Sequence, residues 1–270
     1  MLPADLRASV NEMLSSKYGN HVEISSFSLV GGGCINQTGR LKTTAGDFFI
    51  KWNDAHSFPG MFEKEAKGLA LLASTNTVYI PKVIGVGEGQ QSAFLLMEYV
   101  EPARRCTVFW ENFGQSLAEM HRNSQAQFGL DHSNYMGSLP QDNSFTDDWA
   151  TFFIERRLEP QLKLAIDCGL LNTKHRKAFE RLYKKLPGIF PKEKPALIHG
   201  DLWSGNFVTG NDGYACILDP AVYYGHREAE LAMTKLFGGF DSSFYHDYAN
   251  ASQPEPGFEK RVGIYNLYPL

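Results

Sequence analysis

Residues 199–206 read His-Gly-Asp-Leu-Trp-Ser-Gly-Asn, and an Asp-Pro pair follows at residues 219–220. Short apolar segments flank this polar stretch and predict two strands, so we expect its side chains to lie on a loop. Phosphoryl transfer from ATP requires a carboxylate that orients the attacking hydroxyl, and oxygen ligands that hold Mg²⁺ on the phosphates. The pattern therefore predicts that Asp201 accepts the hydroxyl proton and that Asn206 and Asp219 bind magnesium.

The spacing within this set is more informative than any one of its members. Four residues separate Asp201 from Asn206, as in the catalytic loop of protein kinases. Asp219 follows a predicted strand, as the metal-binding Asp of kinases does, although Pro-Ala replaces Phe-Gly after it. Each residue alone is more often a turn former. The ordered set with its flanking strands favours the catalytic interpretation.

The pattern of predicted elements changes near Glu101, which divides the chain into two lobes. Short β-type runs precede this point, and one helix at residues 62–73 interrupts them. The predicted strands are at residues 24–30, 35–42, 47–52, 82–86 and 93–99. We expect a small β-rich lobe with one helix at residues 1–100, which binds ATP.

Helical patterns predominate after the divide. Phe109, Phe113, Leu117 and Met120 recur at spacings of three and four, which predicts an amphipathic helix. Further helices are predicted at residues 149–166 and 173–186, and short strands at residues 196–199 and 214–218. The fold class is therefore α+β, with two lobes, of which the larger, mainly helical one at residues 101–270 is expected to carry the catalytic and substrate-binding residues. The ordered set of polar residues resembles that of the protein-kinase superfamily, and this resemblance implies a two-lobed protein-kinase-like fold.

The first lobe contains two candidate phosphate-binding features. Gly31, Gly32 and Gly33 lie between two predicted strands, where backbone without side chains could close over phosphates, although such a run is also a common turn. Lys51 lies in the apolar strand at residues 47–52, where an ammonium is out of place unless it meets an anion. A phosphate and a carboxylate could both serve as that anion.

The helix at residues 62–73 offers the carboxylate. Glu65 follows Phe62 by three residues and shares its apolar stripe, so we expect it to point inward and to need a partner. Glu63 instead lines up with Lys67 on the expected solvent face. We therefore predict that Glu65 pairs with Lys51. The alternative is that both are surface residues.

The last strand of the first lobe runs into the lobe divide. Backbone groups of Met97, Glu98, Tyr99 and Val100 could present a carbonyl and an N–H to adenine, with Met97 as the gatekeeper. By itself the segment is equally consistent with an ordinary buried strand.

Composition excludes several classes of function. The formal net charge of −4 gives no basic footprint for nucleic acid. No apolar run is long enough to span a bilayer, and the first residues do not read as a signal peptide. Four scattered cysteines suggest neither a zinc site nor a disulfide framework. We expect a cytoplasmic protein that binds no nucleic acid and no membrane.

The wording of several motifs resembles the fructosamine and ketosamine kinases. The similar stretches are at residues 31–36, 61–65, 134–141, 152–161, 199–206 and 219–227. HGDLWSGN and DPAVYYGHRE are specific, whereas HGD with a later Asn also occurs in aminoglycoside, choline and homoserine kinases. The resemblance implies ATP with Mg²⁺ and phosphorylation of a ketosamine sugar, typically at its 3-hydroxyl. Because that product sheds the sugar, such enzymes look like deglycation repair enzymes.

The resemblance also suggests residues for the acceptor and for regulation. Trp203 would offer an aromatic face to the sugar, unless it is a core tryptophan. Tyr224, His226 and Glu228 could line the acceptor pocket or equally form a structural network. Cys34 lies where the family often has a cysteine in the glycine loop, which suggests a redox-sensitive thiol. The alternative is that Cys34 is an inert small residue.

The expected substrate is a small-molecule ketosamine or a glycated amine or protein, and the expected state is a monomer or weak dimer. The family helix that begins near Arg261 normally continues further than the sequence does. One alternative keeps the fold and changes the acceptor to an aminoglycoside or a choline-like amine. Another is a pseudokinase that binds nucleotide without turnover. The catalytic set argues against this alternative, because it is intact: Lys51, Asp201, Asn206 and Asp219.

Overall fold

The computed structural model describes residues 2–31, 35–89 and 91–270. It divides into two compact units, neither of which is one continuous segment. The first unit comprises Met1–Thr107, Gly137–Leu139 and Phe207–Asp219. The second unit comprises Val108–Met136, Pro140–Asn206 and Pro220–Leu270. The assignment of ATP binding to residues 1–100 and of catalysis to residues 101–270 stays a prediction.

A five-stranded antiparallel sheet in the order β1-β2-β3-β5-β4 forms the centre of the first unit. Its strands are β1 (Ile24–Leu29), β2 (Gln37–Thr43), β3 (Gly46–Asp54), β4 (Val83–Glu88) and β5 (Ser92–Glu98). All five match the predicted runs to within about two residues at each end, because short β-type runs between turn residues mark strands well.

Two helices accompany this sheet, α1 (Ala4–Tyr18) and α2 (Met61–Ala73). The sequence predicts α2 but not α1. Leu6, Val10 and Leu14 of α1 are fully buried in one hydrophobic cluster with residues of the sheet. Their spacing of four was the available signal, but the stripe is one residue wide and polar residues flank it.

A short hairpin completes the first unit, made of β9 (Phe207–Thr209) paired with β10 (Ala215–Ile217). The sequence predicts β10 but places β9 in a loop. Backbone hydrogen bonds tie the hairpin to earlier parts of the unit: the N–H of Ala103 donates to Thr209 O, and the N–H of Ile217 donates to Tyr79 O. These bonds explain why this segment groups with the first unit, although it is distant in sequence.

The second unit is mainly helical. Its first elements are α3 (Phe109–His121), β6 (Asn134–Met136), β7 (Leu139–Gln141, whose first residue groups with the first unit), α4 (Trp149–Phe153) and α5 (Glu159–Asp167). The remaining elements are α6 (Thr173–Tyr183), α7 (Leu186–Ile189), β8 (Ala196–Ile198), β11 (Tyr223–Gly225), α8 (Arg227–Met233), α9 (Ser242–Ala251) and α10 (Phe258–Tyr265). One π-helical turn, Ile154–Leu158, joins α4 to α5 within the predicted helix at residues 149–166.

Two contacts position the polar loop of the second unit. Strand β8 pairs with β11, so the loop that begins at His199 leaves from a paired strand end. Gly200 has φ +84°, and a Cβ at this position would collide with the carbonyl oxygen of Ala221. The turn therefore requires glycine.

None of the helices in the described ranges combines the length and apolar character needed to cross a membrane.

Candidate active site

A buried ammonium lies between two carboxylates in the first unit. Lys51, on β3, donates from Nζ to Glu65 Oε1 of α2 at 2.7 Å and to Asp219 Oδ1 at 2.8 Å. The Lys51 side chain is 4% exposed, whereas that of Asp219 is 43% exposed. The predicted contact between Lys51 and Glu65 is present, and helical spacing was enough to choose Glu65 over Glu63.

The charges around Lys51 keep it protonated. Burial alone would lower the pKa of its ammonium, but the charges and hydrogen bonds of Asp219 and Glu65 outweigh burial and raise the pKa above its ordinary value. Asp219 adopts φ 55°, a left-handed conformation that is uncommon for a residue other than glycine. A fixed cation with a partly exposed carboxylate beside it is suited to binding a metal–phosphate complex.

In the second unit the loop brings Asp201 and Asn206 together. Asn206 is buried and donates from Nδ2 to the backbone oxygen of Asp201 at 2.8 Å and to its Oδ2 at 2.9 Å. These bonds fix the Asp201 carboxylate relative to the loop, and neither uses the amide oxygen of Asn206. The pair thus presents an oriented carboxylate together with an amide oxygen.

Glu230 of α8 binds the backbone at the start of this loop. It is 2% exposed and accepts the N–H of His199 at 3.1 Å and the N–H of Gly200 at 2.8 Å, one on each oxygen. His121 of α3 lies on the same carboxylate, with Nε2 2.8 Å from Oε2, and its Nδ1 meets the Tyr248 hydroxyl at 2.8 Å. Glu230 therefore joins two helices to the backbone beside Asp201.

These partners keep Glu230 ionised. Burial would raise the pKa of its carboxyl, but the hydrogen bond and charge of His121, followed by His199 and the N–H of Gly200, lower the pKa below its ordinary value. A buried carboxylate that accepts several hydrogen bonds is costly to alter.

Replacing Glu230 with Gln is expected to destabilise the protein by about 2–3 kcal/mol, because an NH₂ group would then face a backbone N–H that has lost its acceptor. The turnover number should also fall at temperatures where the variant is still folded, because the loop carrying Asp201 loses its anchor. Thermal unfolding and steady-state kinetics measure the two effects. The exposed Glu180→Gln is the matched control, and an unchanged melting temperature for Glu230→Gln would contradict the anchoring role.

The oxygen ligands expected for Mg²⁺ fit that ion. Asp219 supplies a partly exposed carboxylate. The bonds from Asn206 to Asp201 use only the amide nitrogen of Asn206 and not its amide oxygen. Within residues 2–31, 35–89 and 91–270, no group of three or more His, Cys, Asp or Glu side chains could hold a metal ion by itself. Mg²⁺ is usually bound by one or two protein oxygens together with substrate phosphates and water.

The segment predicted to meet adenine has part of its backbone already engaged. Met97 is buried in β5, the N–H of Glu98 donates to Lys82 O at 2.9 Å, and the N–H of Tyr99 donates to Asp47 O at 3.4 Å. The N–H groups of Glu98 and Tyr99 are therefore already paired within the protein, and the contact of this segment with adenine stays a prediction.

The acceptor candidates fall into two groups. Trp203 is half-buried and Tyr224 is partly exposed, so both can meet a ligand. His226 and Glu228 are fully buried: His226 caps α8, and Glu228 accepts two hydrogen bonds from the guanidinium of Arg261, at 2.6 and 2.7 Å. For these two the geometry favours the structural network over a pocket lining, because a side chain without exposed surface cannot contact a substrate.

Three predicted residues, Gly32, Gly33 and Cys34, lie outside the described residues. Gly31 is described, and no atom of the described residues lies within 4 Å of the place where its Cβ would be. The sequence reasoning missed Glu230 and His121. A signal existed for His121, which continues the buried stripe of Phe113 and Leu117 at a spacing of four.

Comparison with known proteins tests the resemblance noted from the motifs. The fructosamine kinase family profile matches residues 6–270. A probable ketoamine kinase of Synechocystis sp. is 39% identical over 272 residues, which cover 97% of this chain and 88% of the relative. The chloroplastic protein-ribulosamine 3-kinase of Oryza sativa subsp. indica is 38% identical over 257 residues, which cover 93% of this chain and 73% of the relative.

Solved structures agree with these matches. A crystal structure assigned as a fructosamine-3-kinase from Haemophilus somnus has a TM-score of 0.89 at 30% identity, and the match covers 96% of this chain and 87% of that one. An aminoglycoside phosphotransferase in complex with ADP and hygromycin B has a TM-score of 0.62 at 14% identity, with 96% and 88% covered, which confirms the protein-kinase-like fold. The family predicted from the motifs is confirmed, and the chain belongs to the fructosamine kinase family.

Proposed function

We propose that this protein transfers the γ-phosphate of ATP to a sugar hydroxyl of a ketosamine, the 3-hydroxyl, and so acts in the repair of glycated amines. The observation that carries the proposal is the placement of Lys51 between Glu65 and Asp219, in a chain that also orients Asp201 through Asn206. The names of the ketoamine and ribulosamine kinases at 38–39% identity support the choice of acceptor.

Each residue has a distinct part in the proposed transfer. Lys51 neutralises phosphate charge, and Glu65 keeps its ammonium in place through the 2.7 Å hydrogen bond. Backbone of the glycine segment at residues 31–33 contributes N–H groups to the phosphates. Asp201 aligns the acceptor hydroxyl and accepts its proton.

Magnesium, when bound, would neutralise charge that develops on the transferred group. Asn206 and Asp219 would hold it through their amide and carboxylate oxygens. Because the transition state of phosphoryl transfer is loose, positioning and charge neutralisation contribute more than strong base catalysis. Fixed side chains such as the buried Lys51 and the doubly bonded Asn206 suit this requirement.

The proposal is tested by measuring ADP release with MgATP and a panel of acceptors: ribulosamine, erythrulosamine and fructosamine derivatives, a choline and an aminoglycoside. We expect turnover that depends on a ketosamine, and identification of the phosphorylated carbon by NMR should give the 3-position. Turnover only with choline or the aminoglycoside would keep the fold and exclude the ketosamine assignment. Tight ATP binding without any turnover would support the pseudokinase alternative.

Cellular location, oligomeric state and type of acceptor are also part of the proposed function. We expect it to act in the cytoplasm as a monomer or weak dimer, on a small ketosamine or on a glycated protein. Size-exclusion chromatography with light scattering measures the oligomeric state directly.

A further inference from the structure

Phe237 combines two unfavourable properties. Its backbone has φ 54°, and its residue surface is 59% exposed. The left-handed region is disfavoured for a bulky residue, and an exposed phenyl ring gains little from burial. Residues held in such conformations cluster at ligand-binding positions, where the surrounding structure fixes them.

The surrounding structure fixes Phe237 from both sides. The Tyr245 hydroxyl donates to Thr234 O at 3.1 Å, before Phe237, and accepts the N–H of Phe240 at 3.2 Å, after it. Gly238 and Gly239 continue the turn with φ 102° and 74°. The strained conformation is therefore imposed by a closed turn that a smaller or more permissive residue could also occupy.

This turn brings Phe237 next to the loop that carries Asp201. Glu230 of α8 binds the N–H groups of His199 and Gly200, and seven residues later the Phe237 ring meets the Trp203 ring edge to face, with centroids 5.2 Å apart. The indole of Trp203 in turn covers Gly205, where a Cβ would collide with its six-membered ring. One connected segment thus holds both the loop backbone and an exposed aromatic ring beside it.

We propose that Trp203 and Phe237, the aromatic pair, form the subsite for the protonated amine of the acceptor, and that Phe237 determines specificity for it. This inference rests on the proposed function. A ketosamine carries a secondary amine that is largely protonated at neutral pH, and aromatic faces attract such cations. Trp203 lies two residues from Asp201 in the same loop, and the ring of Phe237 extends the aromatic surface of Trp203. An acceptor whose hydroxyl is aligned by Asp201 would therefore place its amine against this pair.

Three substitutions separate the ring from the backbone. Phe237→Tyr keeps the ring, Phe237→Leu keeps an apolar side chain without a π face, and Phe237→Asn removes the ring while tolerating the left-handed conformation. We expect KM for a ketosamine to rise about fivefold or more in the Leu and Asn variants and to change less than twofold in the Tyr variant. KM for ATP and kcat should stay near the wild-type values in all three.

A matched pair of acceptors tests the cation itself: one ketosamine with a basic secondary amine, and its N-acyl analogue, which is neutral. The wild-type preference for the basic acceptor should disappear in the Leu and Asn variants. The melting temperature of Phe237→Asn should equal or exceed that of the wild type, because the backbone strain is relieved.

The outcomes distinguish this inference from the proposed function. Unchanged KM for the ketosamine in Phe237→Leu and Phe237→Asn would overturn the role of the ring, even though wild-type turnover supports the kinase. A lower melting temperature for Phe237→Asn with unchanged KM would show that Phe237 acts in packing alone. A wild-type enzyme that phosphorylates no ketosamine would overturn both.

Discussion

Replacing Asp201 with Asn is expected to lower kcat by about 10²-fold or more, because the amide cannot accept the proton of the attacking hydroxyl. The change is isosteric, and the side-chain oxygen can still accept the hydrogen bond that Asn206 Nδ2 now gives to Oδ2 at 2.9 Å. The loop should therefore keep its shape. ADP release at saturating MgATP and acceptor measures the effect.

The exposed Asp167→Asn, at the end of α5, is the matched control and should retain the wild-type rate. ATP affinity measured by titration calorimetry should be similar in the Asp201 variant and the wild type. A near-normal rate for Asp201→Asn would refute its assignment as the group that aligns the hydroxyl.

Replacing Lys51 with Met is expected to lower kcat/KM for ATP by about 10²-fold or more, because the fixed cation that neutralises phosphate charge is lost. The same change leaves Glu65 as a buried carboxylate without its cation, which costs roughly 3–5 kcal/mol of stability. Steady-state kinetics and thermal unfolding measure the two effects, and the exposed Lys67→Met on α2 is the control.

A double variant separates these two effects. Lys51→Met combined with Glu65→Gln removes the uncompensated charge, so the melting temperature should recover toward the wild-type value. Activity should stay low, because no ammonium is restored. Recovery of activity together with stability would show that Lys51 serves the fold and not the phosphates.

Local sequence patterns predicted the features that depend on local geometry. Helical spacing placed Glu65 on the inner face of α2 and so identified its contact with Lys51. The five strands of the central sheet of the first unit followed from short β-type runs, whereas β9 did not. The interval between Asp201 and Asn206 predicted residues that the loop indeed brings together.

Features that depend on distant parts of the chain were not predicted. The carboxylate of Glu230 forms hydrogen bonds with His121, 109 residues earlier, and with backbone N–H groups 30 and 31 residues earlier. The burial of Glu228 likewise depends on Arg261, which no local pattern connects with it. Spacing within one element indicates which face is buried, but it does not identify the partner on another element.

The link between α8 and α10 bears on which parts of the protein open together. Arg261 neutralises the fully buried Glu228, and Asn266, directly after α10, donates to Ala232 O, so this end of the chain secures the helix that also carries Glu230. If α10 separated from the folded protein, Glu228 would lose its cation at a buried position, so α8 and α10 should open as one cooperative unit. Local opening of α10 should therefore also loosen the anchor of the loop that carries Asp201.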